Sequence, residues 1–315
     1  MTIAEFRKEQ SKNLPNSSTP ALDIDCLISH VLEKNRSWIL AHQEEILDEL
    51  NLKKLNSLVD QRKTGLPIAY IIEKKEFFGL EFFVNKNVLI PKPDTELLVE
   101  KAIEDISNDS LGKIKKIADV CTGSGCVFIS IAKQFENTKN IKYFSTDVCH
   151  KALEVAKINS QNILGQSFTE NNIQFNLADL LDNVTEKFDM IVSNPPYVPR
   201  TIVNDLLLDG RREPPLALDG DACYISTTDP NYGDGMSLIR PLIKQSFELL
   251  NDNGIFLVET GEYNAHLTRQ CLQETGFSDI ITYEDLSGQP RITRAVKKWQ
   301  KLKKIYKMES LILKF

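Results

Sequence analysis

The sequence predicts an α/β protein. A mainly parallel, seven-stranded sheet with helices on both faces is preceded by a small N-terminal helical bundle and a β-hairpin linker. Three observations carry this prediction. From residue 114 onward, short runs of branched and aromatic residues alternate with amphipathic helical stretches, the pattern of successive strand–helix–strand crossovers. Before residue 76, apolar residues recur at helical spacing. Between the two regions lies an aromatic-rich stretch around turn formers.

Residues 1–20 are polar, with Glu5, Glu9 and two prolines. They show neither the apolar core of a secretory leader nor the Arg-rich, acid-poor character of a transit peptide. Ile24, Leu27, Ile28, Val31 and Leu32 predict the first helix, after Thr19-Pro20. Trp38, Ile39, Leu40, Ile46 and Leu47 continue a helical pattern, and Leu52, Leu55, Leu58 and Val59 give a third amphipathic stretch, ended by Gly65-Leu66-Pro67. Residues 77–90 read as the hairpin, with Phe77, Phe78, Phe82, Phe83, Val84, Val88 and Leu89 around Gly79 and Asn85-Lys86-Asn87. Pro91-Lys92-Pro93 then breaks the chain, and Asp94 or Thr95 is positioned to cap a helix through Leu97, Leu98, Val99 and Ile103.

The alternating region follows. Strands are expected at 114–120, 141–146, 173–177, 188–192 and 254–259, with 280–283 and 292–296 closing the sheet as a hairpin. Helices are expected from Val127, through Leu153 to Ile158, and at 236–250 and 266–275. The Lys-rich tail from Lys297 reads as a solvated amphipathic helix. The domain division expected is 1–76 helical and substrate-docking, 77–90 hairpin linker, 91–296 catalytic and 297–315 tail.

The chain has 315 residues, 42% of them hydrophobic, and a formal net charge of -6. That length and apolar content suit a sizeable core, and the acidic balance argues against a dedicated nucleic-acid binder. Its six cysteines include no C-x-x-C pair, which favours reduced thiols over a zinc site. No apolar run approaches membrane-spanning length. A soluble cytoplasmic protein with no membrane partner is expected.

The chemistry-bearing stretches lie at strand ends. Asp119-Val120-Cys121-Thr122-Gly123-Ser124-Gly125 follows the first strand of the alternating region and precedes a helix. Glycines there let a ligand approach the backbone, at the sheet edge where such folds bind nucleotides. A dinucleotide fingerprint requires a third Gly where this chain has Phe128, and a P-loop requires Gly-Lys-Ser/Thr, which is absent. A cofactor with no pyrophosphate to cradle, such as S-adenosylmethionine, fits better. Asp147 ends the second strand, where a carboxylate can accept hydrogen bonds from both ribose hydroxyls; the competing reading is a cap for the next helix. Asp179, after the third strand, is suited to the adenine end or to an ordinary loop. The candidate cofactor set is Cys121, Thr122, Gly123, Ser124, Gly125, Asp147, Asp179, Leu180 and Asn194.

Ser193-Asn194-Pro195-Pro196-Tyr197 follows the fourth strand. The prolines fix φ and make a short rigid loop. The Asn194 side-chain carbonyl and the Pro195 main-chain carbonyl can together accept both hydrogens of a substrate NH2 group, and Tyr197 supplies an aromatic wall. Asn194, Pro195, Pro196 and Tyr197 are the candidate catalytic residues. No general base stands out and no metal is implied.

These residues give the chain a family likeness. It resembles the HemK/PrmC protein-glutamine methyltransferases over roughly residues 21–296. The likeness rests on Gln61-Arg62 with Gly65, Pro67 and Tyr70-Ile71; on Glu76-Phe77-Phe78-Gly79; on Val88-Leu89-Ile90-Pro91-Lys92-Pro93-Asp94-Thr95-Glu96; on the Gly loop and Asp147; on Phe188-Asp189-Met190-Ile191-Val192-Ser193-Asn194-Pro195-Pro196-Tyr197; and on Leu216-Ala217-Leu218-Asp219-Gly220. Asn-Pro-Pro-Tyr alone is shared with DNA enzymes that methylate amino groups, whereas the run from Ile90 to Glu96 is more specific. The resemblance implies a class I S-adenosylmethionine-dependent methyltransferase fold. It implies N5-methylation of the glutamine of a Gly-Gly-Gln loop in class 1 peptide-chain release factors. By position, it puts Thr122, Gly123, Ser124, Gly125 and Asp147 on the cofactor, and Asn194 to Tyr197 on the glutamine amide. The chain departs from the pattern at Lys92, where the family usually has Arg, in an insertion at 221–232, and in the tail. The alternative reading is an adenine-N6 or cytosine-N4 DNA methyltransferase, disfavoured by the acidic charge and the lack of an obvious target-recognition domain.

Overall fold

The computed structural model describes residues 1–138, 140–208, 212–222 and 231–298. The expected tail helix and most of the 221–232 insertion lie outside these.

The N-terminal bundle opens with a helix that the sequence reading passed over, α1 (Ile3–Lys12). Its signal was present: Thr2 and Glu5 form a capping box, each side chain bonding the other's backbone N–H. There follow α2 (Pro20–Leu32), α3 (Arg36–Ala41), α4 (Glu49–Lys63) and the single turn α5 (Ile68–Ile71). The second helical stretch is shorter than expected. After Ala41 the chain turns, and Ile46 forms an antiparallel bridge with Thr2. Ile3, Phe6, Ile24, Leu27, Ile28, Ile39, Leu55 and Val59 form a hydrophobic core of its own. Asp25, fully buried, is paired with Arg7 at 2.5 Å and Arg36 at 3.2 Å, and Asp23 with Arg62 at 2.7 Å, so four helices are tied by charge as well as packing.

The hairpin strands are β1 (Lys74–Phe77) and β2 (Leu80–Phe83), earlier than the aromatic pattern suggested. Phe77 pairs with Leu80, leaving a two-residue loop in which Phe78 and Gly79 both have positive φ (51° and 71°). That is the mirror-image turn whose twist suits a tight hairpin. Asn85 to Val88 form a separate turn beyond it.

The catalytic region begins with α6 (Glu96–Asn108), then β3 (Lys116–Val120), α7 (Cys126–Phe135), β4 (Lys142–Asp147), α8 (His150–Leu164), α9 (Gln166–Asn172), β5 (Ile173–Leu177), β6 (Phe188–Ser193), α10 (Arg200–Leu208), α11 (Ile239–Leu249), β7 (Leu250–Glu259), α12 (Ala265–Thr275), β8 (Ser278–Glu284) and β9 (Pro290–Val296). The seven-stranded sheet runs β5-β4-β3-β6-β7-β9-β8, parallel except for β9, which is antiparallel to both neighbours. α9 and α10 were not expected.

Side chains alternate across the sheet. Ile117, Tyr143, Met190, Val192, Ile255 and Leu257 enter the core on one face. Ala118, Val120, Phe144, Ile191, Phe256 and Val258 enter the core on the other. Both faces are covered, as a parallel sheet requires. Strand order reverses between β3 and β6, and the crevice at such a switch point, beyond the strand C-termini, is where these sheets bind ligands. The Gly loop follows β3 and Asn-Pro-Pro-Tyr follows β6, so the two motifs flank that crevice. Among the described residues, no helix is long and apolar enough to cross a membrane.

Candidate active site

A cavity of about 450 Å³ opens at the switch point. Its wall includes Cys121, Thr122, Gly123 and Ser124 from the Gly loop, Asp147 from the end of β4, Asp179 and Leu180 after β5, and Asn194 and Pro196 after β6. Gly125 does not line it. A Cβ there would meet Ile129 and Phe128 at 2.8 and 2.9 Å, so this glycine (φ 80°) lets the loop close onto α7, whereas a Cβ at Gly123 would meet nothing within 4 Å. Pro195 is buried, and Tyr197 stands aside from the cavity wall with its hydroxyl on Glu259. Cys121, on the cavity wall, holds φ at 59°, backbone that favours glycine.

Asp147 serves the loop as well as the cavity. Its Oδ2 accepts the Gly123 N–H at 2.9 Å and its Oδ1 the Cys149 N–H at 2.8 Å, so the helix-entry reading and a ligand-facing position coexist. Burial raises its pKa, against the pull of those N–H donors. Asp119, which sequence reasoning quoted but did not assign, also lines the cavity. It accepts the Thr122 hydroxyl at 2.6 Å, and burial lifts its pKa to about 7. A carboxylate closing a buried strand just before a glycine loop was the signal for it. Asp119, Asp147 and Asp179 thus converge on one cavity and suit a ligand carrying positive charge.

The Asn-Pro-Pro-Tyr loop is gripped from several sides. Val198 exchanges backbone hydrogen bonds with Leu218 and Gly220, both at 2.9 Å. A Cβ at Gly220 would lie 2.7 Å from the Tyr197 backbone, and one at Gly235 2.2 Å from the Tyr197 carbonyl oxygen, so only glycine permits this approach. Asn264 Nδ2 donates to that same carbonyl at 2.8 Å. Arg200 pairs with Asp219 at 2.8 Å. Gly220, Gly235 and Asn264 therefore support the loop without touching the cavity.

Thr95 was expected as a possible helix cap. It sits in a short 3-10 turn, Pro93–Thr95, and makes no side-chain cap bond. Its hydroxyl oxygen instead accepts the Asn194 Nδ2–H at 3.0 Å, drawn into the site because both residues are held at the cavity wall. Lys92 lines the cavity too, and its ammonium meets the buried Glu213 carboxylate at 2.6 Å, a single-point contact.

A parallel sheet of this order, with a glycine loop and a strand-end acid on one side of the switch point and a rigid Asn-Pro-Pro-Tyr turn on the other, defines a class I S-adenosylmethionine-dependent methyltransferase. Comparison with known proteins narrows the class. A family model described as PrmC N-terminal domain matches residues 5–72, and one described as Methyltransferase small domain matches residues 93–208. The release factor glutamine methyltransferase of Clostridium acetobutylicum is 36% identical over 279 residues, 87% of this chain and 90% of that protein. The proteins of the same name from Buchnera aphidicola subsp. Schizaphis graminum and Haemophilus influenzae are 33% and 32% identical, over 95% and 92% of this chain and 100% and 96% of their own. The chain belongs to the release factor glutamine methyltransferase family.

Proposed function

We propose that this chain methylates the side-chain amide nitrogen of the glutamine in the Gly-Gly-Gln loop of a class 1 peptide-chain release factor. The observation that carries the reading is one cavity that gathers the Gly loop, Asp147 and Asn194. S-adenosylmethionine is the cofactor, and when bound it supplies an electrophilic sulfonium methyl group.

The residues present fit it. Gly123 gives open space for close approach, and Asp147 offers acceptors at the ribose end. The three carboxylates complement a cation. Cys121, Thr122, Ser124, Asp179, Leu180 and Asn194 complete the binding wall, with Gly125 acting from behind through the loop's shape.

On the substrate side, the amide nitrogen is a poor nucleophile because its lone pair is delocalised. Asn194 and the Pro195 carbonyl hold the NH2 group by its two hydrogens, which aims the nitrogen and favours positive charge developing on it. The N-methylated amide cation is strongly acidic, so its proton leaves without a dedicated base. Residues 1–76 serve as the docking domain for the release factor, with 77–90 linking them to the catalytic region 91–296. No stable nucleic-acid partner is required.

The test is radiolabelled methyl transfer to purified release factors and to duplex DNA, followed by mass mapping. Label on the Gly-Gly-Gln glutamine supports the reading. Label on DNA bases alone, or on another residue of the factor, overturns it.

A further inference from the structure

Behind Asn194 lies a chain of buried polar groups that the reaction as described does not use. Asn194 Nδ2 donates to Thr95 Oγ1 at 3.0 Å. Thr95 is 2% exposed and Glu259, at the end of β7, is 1% exposed. The Thr95 hydroxyl faces the Glu259 carboxylate and favours its ionised form. Tyr197 donates its hydroxyl to Glu259 Oε1 at 3.0 Å, while the buried Oε2 has no hydrogen-bond partner among the described residues. Two members of the Asn-Pro-Pro-Tyr loop therefore converge on one carboxylate, Tyr197 directly and Asn194 through Thr95.

We infer that Glu259, acting through Thr95, is the positioning group that fixes which end of the Asn194 amide faces the substrate. The inference rests on the role given to Asn194 above. Its logic is donor and acceptor counting. An ionised carboxylate only accepts, so its open Oε2 draws the single proton of the neighbouring Thr95 hydroxyl toward itself. The Thr95 oxygen is then free only to accept, and of the two ends of the Asn194 amide only the NH2 end donates. The carbonyl end is left for the cavity, the end that can accept from a substrate NH2 group. Without that chain the amide has no reason to prefer this orientation, and its flipped form would set an NH2 donor against the NH2 of the substrate.

Burial lifts the Glu259 pKa to about 7, opposed by the neighbouring Thr95 and Tyr197 hydroxyls and by the charge of Arg291, and reinforced by Asp94. Once protonated, Glu259 gains a donor of its own, and the polarity of the chain is no longer fixed. Transfer should therefore rise with pH through the region near 7, while cofactor affinity, to which Asn194 and Thr95 contribute only part of the cavity wall, changes less.

The experiment is single-turnover transfer from saturating S-adenosylmethionine to a release factor, as a function of pH, with cofactor affinity measured in parallel. Thr95→Val should slow transfer about tenfold, roughly the worth of one oriented hydrogen bond to a polar partner, with a clearly smaller loss of cofactor affinity. Thr95→Ser should restore it, and Glu259→Gln should be slow with the pH dependence near 7 lost. Thr95→Val at the wild-type rate and pH profile overturns the inference, as does a loss of cofactor affinity equal to the loss of rate, which would mark a merely structural role. Asn194→Ala separates this from the parent reading: wild-type transfer in that variant removes the role of Asn194 itself, whereas slow transfer there with full speed in Thr95→Val removes only the relay.

Discussion

Asn159 in α8 holds Phe83 in β2 by both of its backbone groups. Its Oδ1 accepts the Phe83 N–H at 2.7 Å and its Nδ2 donates to the Phe83 carbonyl at 2.9 Å. The same Nδ2 reaches the Ser124 carbonyl of the Gly loop at 2.9 Å. One fully buried amide thus ties the hairpin linker to the cofactor loop. Asn159→Ala leaves buried backbone groups without partners, and a loss of about 3 kcal/mol in stability is expected, read from a denaturant midpoint. Cofactor affinity should fall with it, because Ser124 loses its anchor.

Asp147→Ala is expected to weaken S-adenosylmethionine binding by about 1–3 kcal/mol, the range for hydrogen bonds to a charged group. The ribose loses its acceptor, and Gly123 and Cys149 lose theirs. Calorimetry on the folded variant decides the point; unchanged affinity removes Asp147 from the site.

Asn194→Ala should slow methyl transfer by about 10²–10³, as loss of a preorganised electrostatic partner does, with only a modest change in cofactor affinity. Asn194→Asp keeps an acceptor and should retain part of the activity. Single-turnover rates at saturating cofactor are the measurement, with folding checked by circular dichroism.

Docking on the N-terminal bundle predicts that its exposed apolar side chains matter to the protein substrate and not to the cofactor. Ile46 is 74% and Leu50 63% exposed. Replacing both with Glu should raise KM for the release factor about tenfold, the scale of losing part of one buried aliphatic contact. Cofactor affinity and melting temperature should stay put. Equal kinetics on the intact factor would argue against this face.

Asp119 predicts a pH dependence of stability. Its folded-state pKa is about 7, against 3.8 for the free side chain. Between those values the folded chain keeps a proton that the unfolded chain releases, so stability contributed by this group falls as pH rises from about 4 to about 7. Asp119→Asn removes that dependence. The variant should gain on the wild type across the window, by on the order of 4 kcal/mol at most. Parallel melts of the two proteins from pH 4 to pH 8 check the sign.

The sequence alone determined what depends on near neighbours. Helical spacing marked α2 to α4 of the bundle, and runs of branched and aromatic residues marked all seven strands of the sheet, because each element must present an apolar stripe or face to a core. Glycines in 121–125, the acid at 147 and the prolines at 195–196 were legible as a candidate site, because their chemistry is local: backbone left open, φ fixed, a carboxylate at a strand end. The α1 helix was legible in its capping box, though it carried too little apolar periodicity to be noticed. What only the tertiary structure decided are relationships across large sequence separations. Thr95 meets Asn194 from 99 residues away, and Tyr197 meets Glu259 from 62. Asn159 reaches Phe83 across 76. Strand order brings these pairs together, since β6 lies between β3 and β7 and α8 packs behind β2. A hydroxyl beside a helix start reads as a cap until the fold sets a buried amide and a buried carboxylate beside it, and then satisfying those two groups outweighs capping the helix.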